Sequence, residues 1–223
     1  VARRSDNQEE TNLNAFLTMA RAIDAASERI GKAVSWLVLI AVLISTANAL
    51  VRYAFNYSSN AFLEMQWYLF AAVFLLGASW TLKRNEHIRI DVVVGRFSPR
   101  VHAWIDIFGG LFFLLPLTLV VLYTSVPFAL EAIQSSEMSS NAGGLIVWPA
   151  KLLIPLGFGL LALQGLAEIV KRVAFLKGVI DGREFEKAGH HGVDEEDIKR
   201  EIEAIAAANH IPVDPLGVEQ ERK

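Results

Sequence analysis

The residues able to hold iron, zinc or a nucleophile are few in this chain, and their positions limit the chemistry they could do. Haem ligation between membrane helices requires histidines inside the apolar segments. The five histidines lie elsewhere: His87 and His102 in a charged central stretch, and His190, His191 and His210 in a polar tail. The pair His190-His191 sits in Ala-Gly-His-His-Gly and reads more simply as an exposed linker than as a metal site. The absence of cysteine removes disulfides, thiolate metal sites and cysteine nucleophiles. No Ser-His-acid set, glycine-rich phosphate loop or zinc signature is present. The expectation is therefore no catalytic residue, no cofactor and no metal. A transporter working alone would need a cage of oxygen ligands or ionisable groups near the bilayer midplane. The deeper polar residues are instead scattered over the chain as Ser45, Thr46, Asn48, Ser79, Thr118 and Gln164, a pattern suited to helix–helix contact.

The elements that carry these residues are long apolar runs. The chain of 223 residues is 53% hydrophobic, and its charges crowd into the two ends and one central stretch. Its formal net charge of -3 gives no support for nucleic acid as a partner. Ala33 to Val51 contains no charge, and at 1.5 Å per residue this run nearly covers a bilayer core of about 30 Å. Three further runs follow, and the expected spans are about 33–52, 62–82, 104–130 and 146–170. Ser58, Ser59 and Asn60 supply a turn and cap before the second, and Ser98-Pro99 the cap and first position before the third. Pro116 and Pro127 fall inside the third, where a membrane helix tolerates them as kinks. The fold class expected is an all-α integral membrane protein with four transmembrane helices and additional interfacial amphipathic helices.

Orientation follows from lysine and arginine in the short flanking segments. Arg21, Arg29 and Lys32 precede the first span, Lys83, Arg84, Arg89, Arg96 and Arg100 lie between the second and third, and Lys171, Arg172 and Lys177 follow the fourth. The other two loops carry only Arg52 and Lys151 at their edges, so both termini are expected in the cytoplasm. Trp36, Trp80 and Trp104 then belong to the inner interface, and Trp67 and Trp148 to the outer. Residues 1–32 are expected as a cytoplasmic segment whose 12–30 stretch forms an amphipathic helix on the inner leaflet or against a partner, since Leu13, Phe16, Leu17, Ala20, Ile23, Ser27 and Ile30 recur at helical spacing. Residues 33–177 form the four-helix domain. The stretch 87–97 reads as a short interfacial element, and the tail 178–223 as polar with a short helix at about 194–208.

Two readings fit Glu64: favourable placement in the first turn of a helix, or a polar contact with another subunit. Lys151 carries the same ambiguity. Gly157, Gly159, Ala162 and Gly165 would let a neighbouring helix approach the fourth span closely.

Two stretches resemble a known family. Glu64-Met-Gln-Trp-Tyr-Leu-Phe through Leu76-Gly77-Ala78 to Lys83-Arg84-Asn85-Glu86-His87-Ile88-Arg89-Ile90-Asp91 is the first, and Glu137-Met-Ser-Ser-Asn-Ala-Gly-Gly-Leu-Ile-Val-Trp-Pro149 with Lys151 and Ile154-Pro155-Leu156-Gly157 the second. Both are similar to the small, Q-type (DctQ-like) membrane subunit of tripartite ATP-independent periplasmic (TRAP) transporters, over roughly residues 30 to 178. The resemblance implies a non-catalytic scaffold in the bacterial inner membrane. It would be bound obligately to a large multi-span subunit that holds sodium and substrate, and served by a periplasmic solute-binding protein that delivers organic acids. Membrane lipids are the other expected partner. Glu64, Trp67, Arg84, Arg89, Trp148 and Lys151 are the candidate partner-contact or interfacial residues. A free-standing four-span channel, or a scaffold of some other membrane assembly, is the competing reading.

Overall fold

In the computed structural model the described residues are 2–57, 59–84 and 98–180, with the side chains of 2–12 and 14 excepted. The helices are α1 (Ala2–Phe55), α2 (Asn60–Lys83), α3 (Pro99–Gly109), a π-helical turn (Gly110–Leu114), α4 (Leu115–Gln134) and α5 (Trp148–Leu176). The π turn joins α3 and α4 into one rod, so four helices are long and apolar enough to cross a membrane: Ala15–Phe55, Asn60–Lys83, Pro99–Gln134 and Trp148–Leu176. Arg89, the 87–97 element and the 194–208 helix lie outside the described residues.

The helices meet along lines of small residues. Gly31, Val34 and Ala41 are buried on α1, Ala72 and Ser79 on α2, Thr118, Ser125, Ala129 and Ala132 on α4, and Gly157, Gly165, Ala167 and Ala174 on α5. On α1, α2 and α4 their spacings are three, four and seven, which keeps them on one face of each helix. Large apolar side chains point the other way, with Leu43 59%, Phe74 79%, Phe113 73% and Leu163 50% exposed, one on each span. A water-soluble bundle would bury such side chains, whereas lipid solvates them at no cost and leaves close packing to draw the helices together.

Between helices, close approach is most demanding at three glycines. A Cβ on Gly31 would lie 2.5 Å from the Trp80 ring, one on Gly165 2.6 Å from Leu114, and one on Gly157 2.7 Å from the Leu75 Cβ and 2.8 Å from its carbonyl oxygen. At Gly157 the obstacle is backbone, which cannot swing aside.

The expected break near Lys32 is absent: α1 runs unbroken for 54 residues, roughly 80 Å at 1.5 Å per residue. The physical reason is that the buried line Leu17, Ala20, Ser27, Gly31, Val34, Ala41 continues through the charged stretch without changing phase. From Asp24 onward that line is engaged by α2 and α5 of the same chain. The π turn has a local cause. Pro116 has no N–H to offer the carbonyl of Phe112, and the Leu115 N–H reaches five residues back to Gly110, so the ladder widens ahead of the proline. Ser59 and Ser98 occupy the expected N-cap positions in extended conformation, and neither side chain makes a capping bond. Gly178, at φ +76°, closes α5 with the Val179 N–H bonded to the Ala174 carbonyl.

Gly157→Val is expected to destabilise the detergent-solubilised protein by about 1–3 kcal/mol through overpacking. Gly77→Ala, whose added methyl meets nothing within 4 Å, should melt like the wild type. Equal melting of the two variants would show that the α2–α5 contact does not depend on backbone approach.

Candidate functional site

Polar side chains concentrate at the two ends of the bundle, and each end is built differently. At one end the connection between α4 and α5 folds into a small hairpin. The Ser139 N–H bonds the Leu145 carbonyl and the Val147 N–H bonds the Glu137 carbonyl, around an isolated antiparallel bridge between Met138 and Ile146. Gly143 takes φ +70° at the turn, a conformation that glycine adopts without steric cost.

Glu64 in the second turn of α2 holds this hairpin. Its side chain is only 4% exposed. It accepts hydrogen bonds from the Ser139 hydroxyl, from the Asn141 amide at 2.8 Å and from the Leu145 N–H at 2.6 Å. A buried carboxylate is expensive unless its lone pairs are filled, and three donors fill them here. Gly144 makes the fit possible, since a Cβ there would stand 2.5 Å from the Ser139 Cβ and 2.8 Å from Glu64 Oε1. Flanking braces repeat along α2: Asn60 Nδ2 donates to the Ala142 carbonyl at 3.0 Å, and the Tyr68 hydroxyl to the Ile146 carbonyl at 3.2 Å. From α5, Lys151 pairs with Glu137 and lies 4.0 Å from the centre of the Phe128 ring.

At the opposite end a charged clasp joins α1 to α5. Gln164 is fully buried, and its amide is used on both sides: Oε1 accepts from Ser27 at 2.7 Å, and Nε2 donates to Asp24 at 2.7 Å and to Glu168 at 3.1 Å. Lys171 closes the set on Asp24 at 3.1 Å and Glu168 at 2.5 Å. Nearby, Glu28 bridges Lys32 and Lys83, and Arg172 pairs with Asp106 at 3.1 Å. Arg84 stacks over the Trp80 ring at 4.6 Å.

Of the residues singled out in the sequence, Glu64 and Lys151 are brought to one place, and both are engaged inside the chain. Their chemistry is to fix the hairpin. Trp67 stands 65% exposed on α2, Trp148 opens α5 half-buried, and Arg84 caps the opposite end of α2. Sequence reasoning missed Asp24 and the hairpin's donors. An acid on the otherwise small and apolar line of α1 was the available signal for Asp24, and the Ser-Ser-Asn-Ala-Gly-Gly run was the signal for a tight turn rich in donors. Among the described residues no group of three or more His, Asp or Glu side chains is arranged to hold a metal ion.

Glu64→Ala removes the shared acceptor of three donors, at a cost of about 1–3 kcal/mol for each one not rehydrated. Hydrogen exchange at the Leu145 amide should accelerate roughly 10- to 100-fold while the Gln164 clasp keeps its protection. Unchanged exchange at Leu145 would mean that the hairpin stands without the carboxylate.

Comparison with known families matches the chain to the family described as tripartite ATP-independent periplasmic transporters, DctQ component, over residues 41–175. Searches of curated proteins and of solved structures found no match. The matched region begins within the first span, takes in the Glu64 hairpin and ends at Phe175 in the last turn of α5, and covers more than half of the chain; the protein belongs to the DctQ family, the small membrane component of TRAP transporters.

Proposed function

We propose that this chain is the non-catalytic scaffold subunit of a sodium-coupled secondary transporter of the TRAP type. In that reading it braces a large multi-span subunit that carries the substrate, and the pair imports organic acids delivered by a periplasmic binding protein. The observation that carries the reading is the coincidence of the DctQ match with the four-helix bundle itself. The use of polar groups supports it: Ser27 and Gln164 bond between helices, and Ser79, Thr118 and Ser125 bond carbonyls of their own helices. The first pair ties α1 to α5, and the other three are satisfied within their own helices.

Charge supports an orientation with both termini in the cytoplasm of a bacterium and the bundle in its inner membrane. Lys32, Lys83, Arg84, Lys171, Arg172 and Lys177 gather at the end opposite the hairpin, whereas the hairpin end carries Arg52 and Lys151. The Glu64 hairpin then faces the periplasm, on the side from which a binding protein arrives. Trp67 and Trp148 sit near that face, and Arg84 belongs to the cytoplasmic side, as contact or anchoring residues; for Arg89 the same role rests on the sequence alone. Glu64 and Lys151 act on partners through the hairpin that they hold.

Reconstitution tests the proposal. Proteoliposomes holding this chain alone should show no uptake of a radiolabelled organic acid under an inward sodium gradient. Uptake should appear only when the large membrane subunit and the binding protein are added. Transport by this chain alone, or full transport without it, would overturn the scaffold assignment, as would failure to co-purify with a large multi-span protein.

A further inference from the structure

Most polar side chains within the spans are used by the bundle itself. Ser35, Ser79, Thr81, Thr118, Thr124 and Ser125 donate to carbonyls of their own helices, and Gln164 is bonded to α1. Away from the helix ends, and among the described residues, the serine, threonine and carboxamide side chains that bond nothing in the chain are Ser45, Thr46 and Asn48 on α1 and Gln66 on α2. Asn48 continues the buried line of Val34 and Ala41, and Gln66 lies on the face of α2 that carries Trp80, the ring packed against Gly31 of α1. Both carboxamides are half-buried, at the hairpin end of the α1–α2 seam. Around them the surface of α1 changes character. Ser45-Thr46-Ala47-Asn48-Ala49 is a run of small and polar residues, all of them exposed except Asn48. Elsewhere on the bundle such residues line the seams while bulky apolar side chains face outward. This run has the composition of a seam and lies open.

We propose that the hairpin-end half of α1, together with Gln66 of α2, is the face on which a transmembrane helix of the large membrane subunit docks; the assignment rests on the scaffold reading above. Depth supplies the first argument. Asn48 lies four residues before Arg52 and Ser45 seven, roughly 6 and 10 Å further into the bilayer at 1.5 Å per residue, which puts both in hydrocarbon. Chemistry supplies the second. Two carboxamides and two hydroxyls present donors and acceptors together. Acyl chains answer neither, and the ester carbonyls at the hydrocarbon boundary accept without donating. A helix with polar side chains of its own answers both, and hydrogen bonds of this kind join helices in membranes. Shape supplies the third, because Ser45 and Ala49 share one face of α1 and are small enough to let a second backbone come close.

The test is photo-crosslinking in the complex. The full chain is co-expressed with the large subunit and carries benzoylphenylalanine in place of Thr46 or, for comparison, in place of Tyr123, which is exposed on α4. Irradiated membranes should yield an adduct of the two subunits from position 46 and none from position 123. In parallel, Asn48→Leu combined with Gln66→Leu should weaken association with the large subunit in detergent about tenfold, the loss expected from two interhelical hydrogen bonds. The isolated double variant should melt at or above the wild-type temperature, since no bond within the chain is removed. Co-purification of the wild type without an adduct at position 46, or with equal yields from 46 and 123, would overturn the docking face and leave the scaffold reading standing; no co-purification at all would overturn both. An adduct between two copies of this chain at position 46 would make the face a homodimer contact instead. A lowered melting temperature of the isolated double variant would show that the two carboxamides serve each other, and would equally overturn the proposal.

Discussion

Hydrocarbon offers no hydrogen bonds, and most features of this molecule answer to that constraint. A polar side chain buried between helices is costly without a partner in the protein, and the fully buried Gln164 shares its one amide among Ser27, Asp24 and Glu168. The same constraint explains why the seams are lined with glycine, alanine, serine and threonine. Where burial of apolar surface gives no advantage over lipid, helices associate through close van der Waals contact, and only small residues permit it. Large side chains are then left for the outside, which makes the surface of this bundle more apolar than its seams.

The two ends divide the labour. The Gln164–Lys171 clasp joins α1 to α5 and, with Glu28 and Lys83, ties α2 into the same end. It holds the bundle together where the long α1 leaves the other helices. The hairpin end instead stiffens an extramembrane segment, through braces from Asn60, Glu64, Tyr68 and Lys151. A segment held in place in this way has little conformational freedom left to lose in any contact.

The spans were legible in the sequence because uncharged length and flanking charge are local properties, and Ser98-Pro99 marked the start of α3 because proline suits a first helical position. What was not legible depends on residues far apart in the chain. Glu64 read as a helix-end acid or a subunit contact because nothing near it identifies Ser139, Asn141 and Leu145 as its partners. Asp24 lay hidden among the charges that precede the first span. The continuity of α1 was obscured by Glu28, Arg29 and Lys32, which look like a boundary by composition although the buried line Leu17–Ala20–Ser27–Gly31 passes beneath them.

The distance along the chain between Glu64 and its partners also bears on biogenesis. Ser139 follows Glu64 by 75 residues and Leu145 by 81, so α2 is made and inserted well before the hairpin exists. Until then the carboxylate has only headgroups and water to solvate it, which keeps the start of α2 near the bilayer surface. Arrival of the hairpin removes that water, and insertion of the last span becomes the step that locks the second.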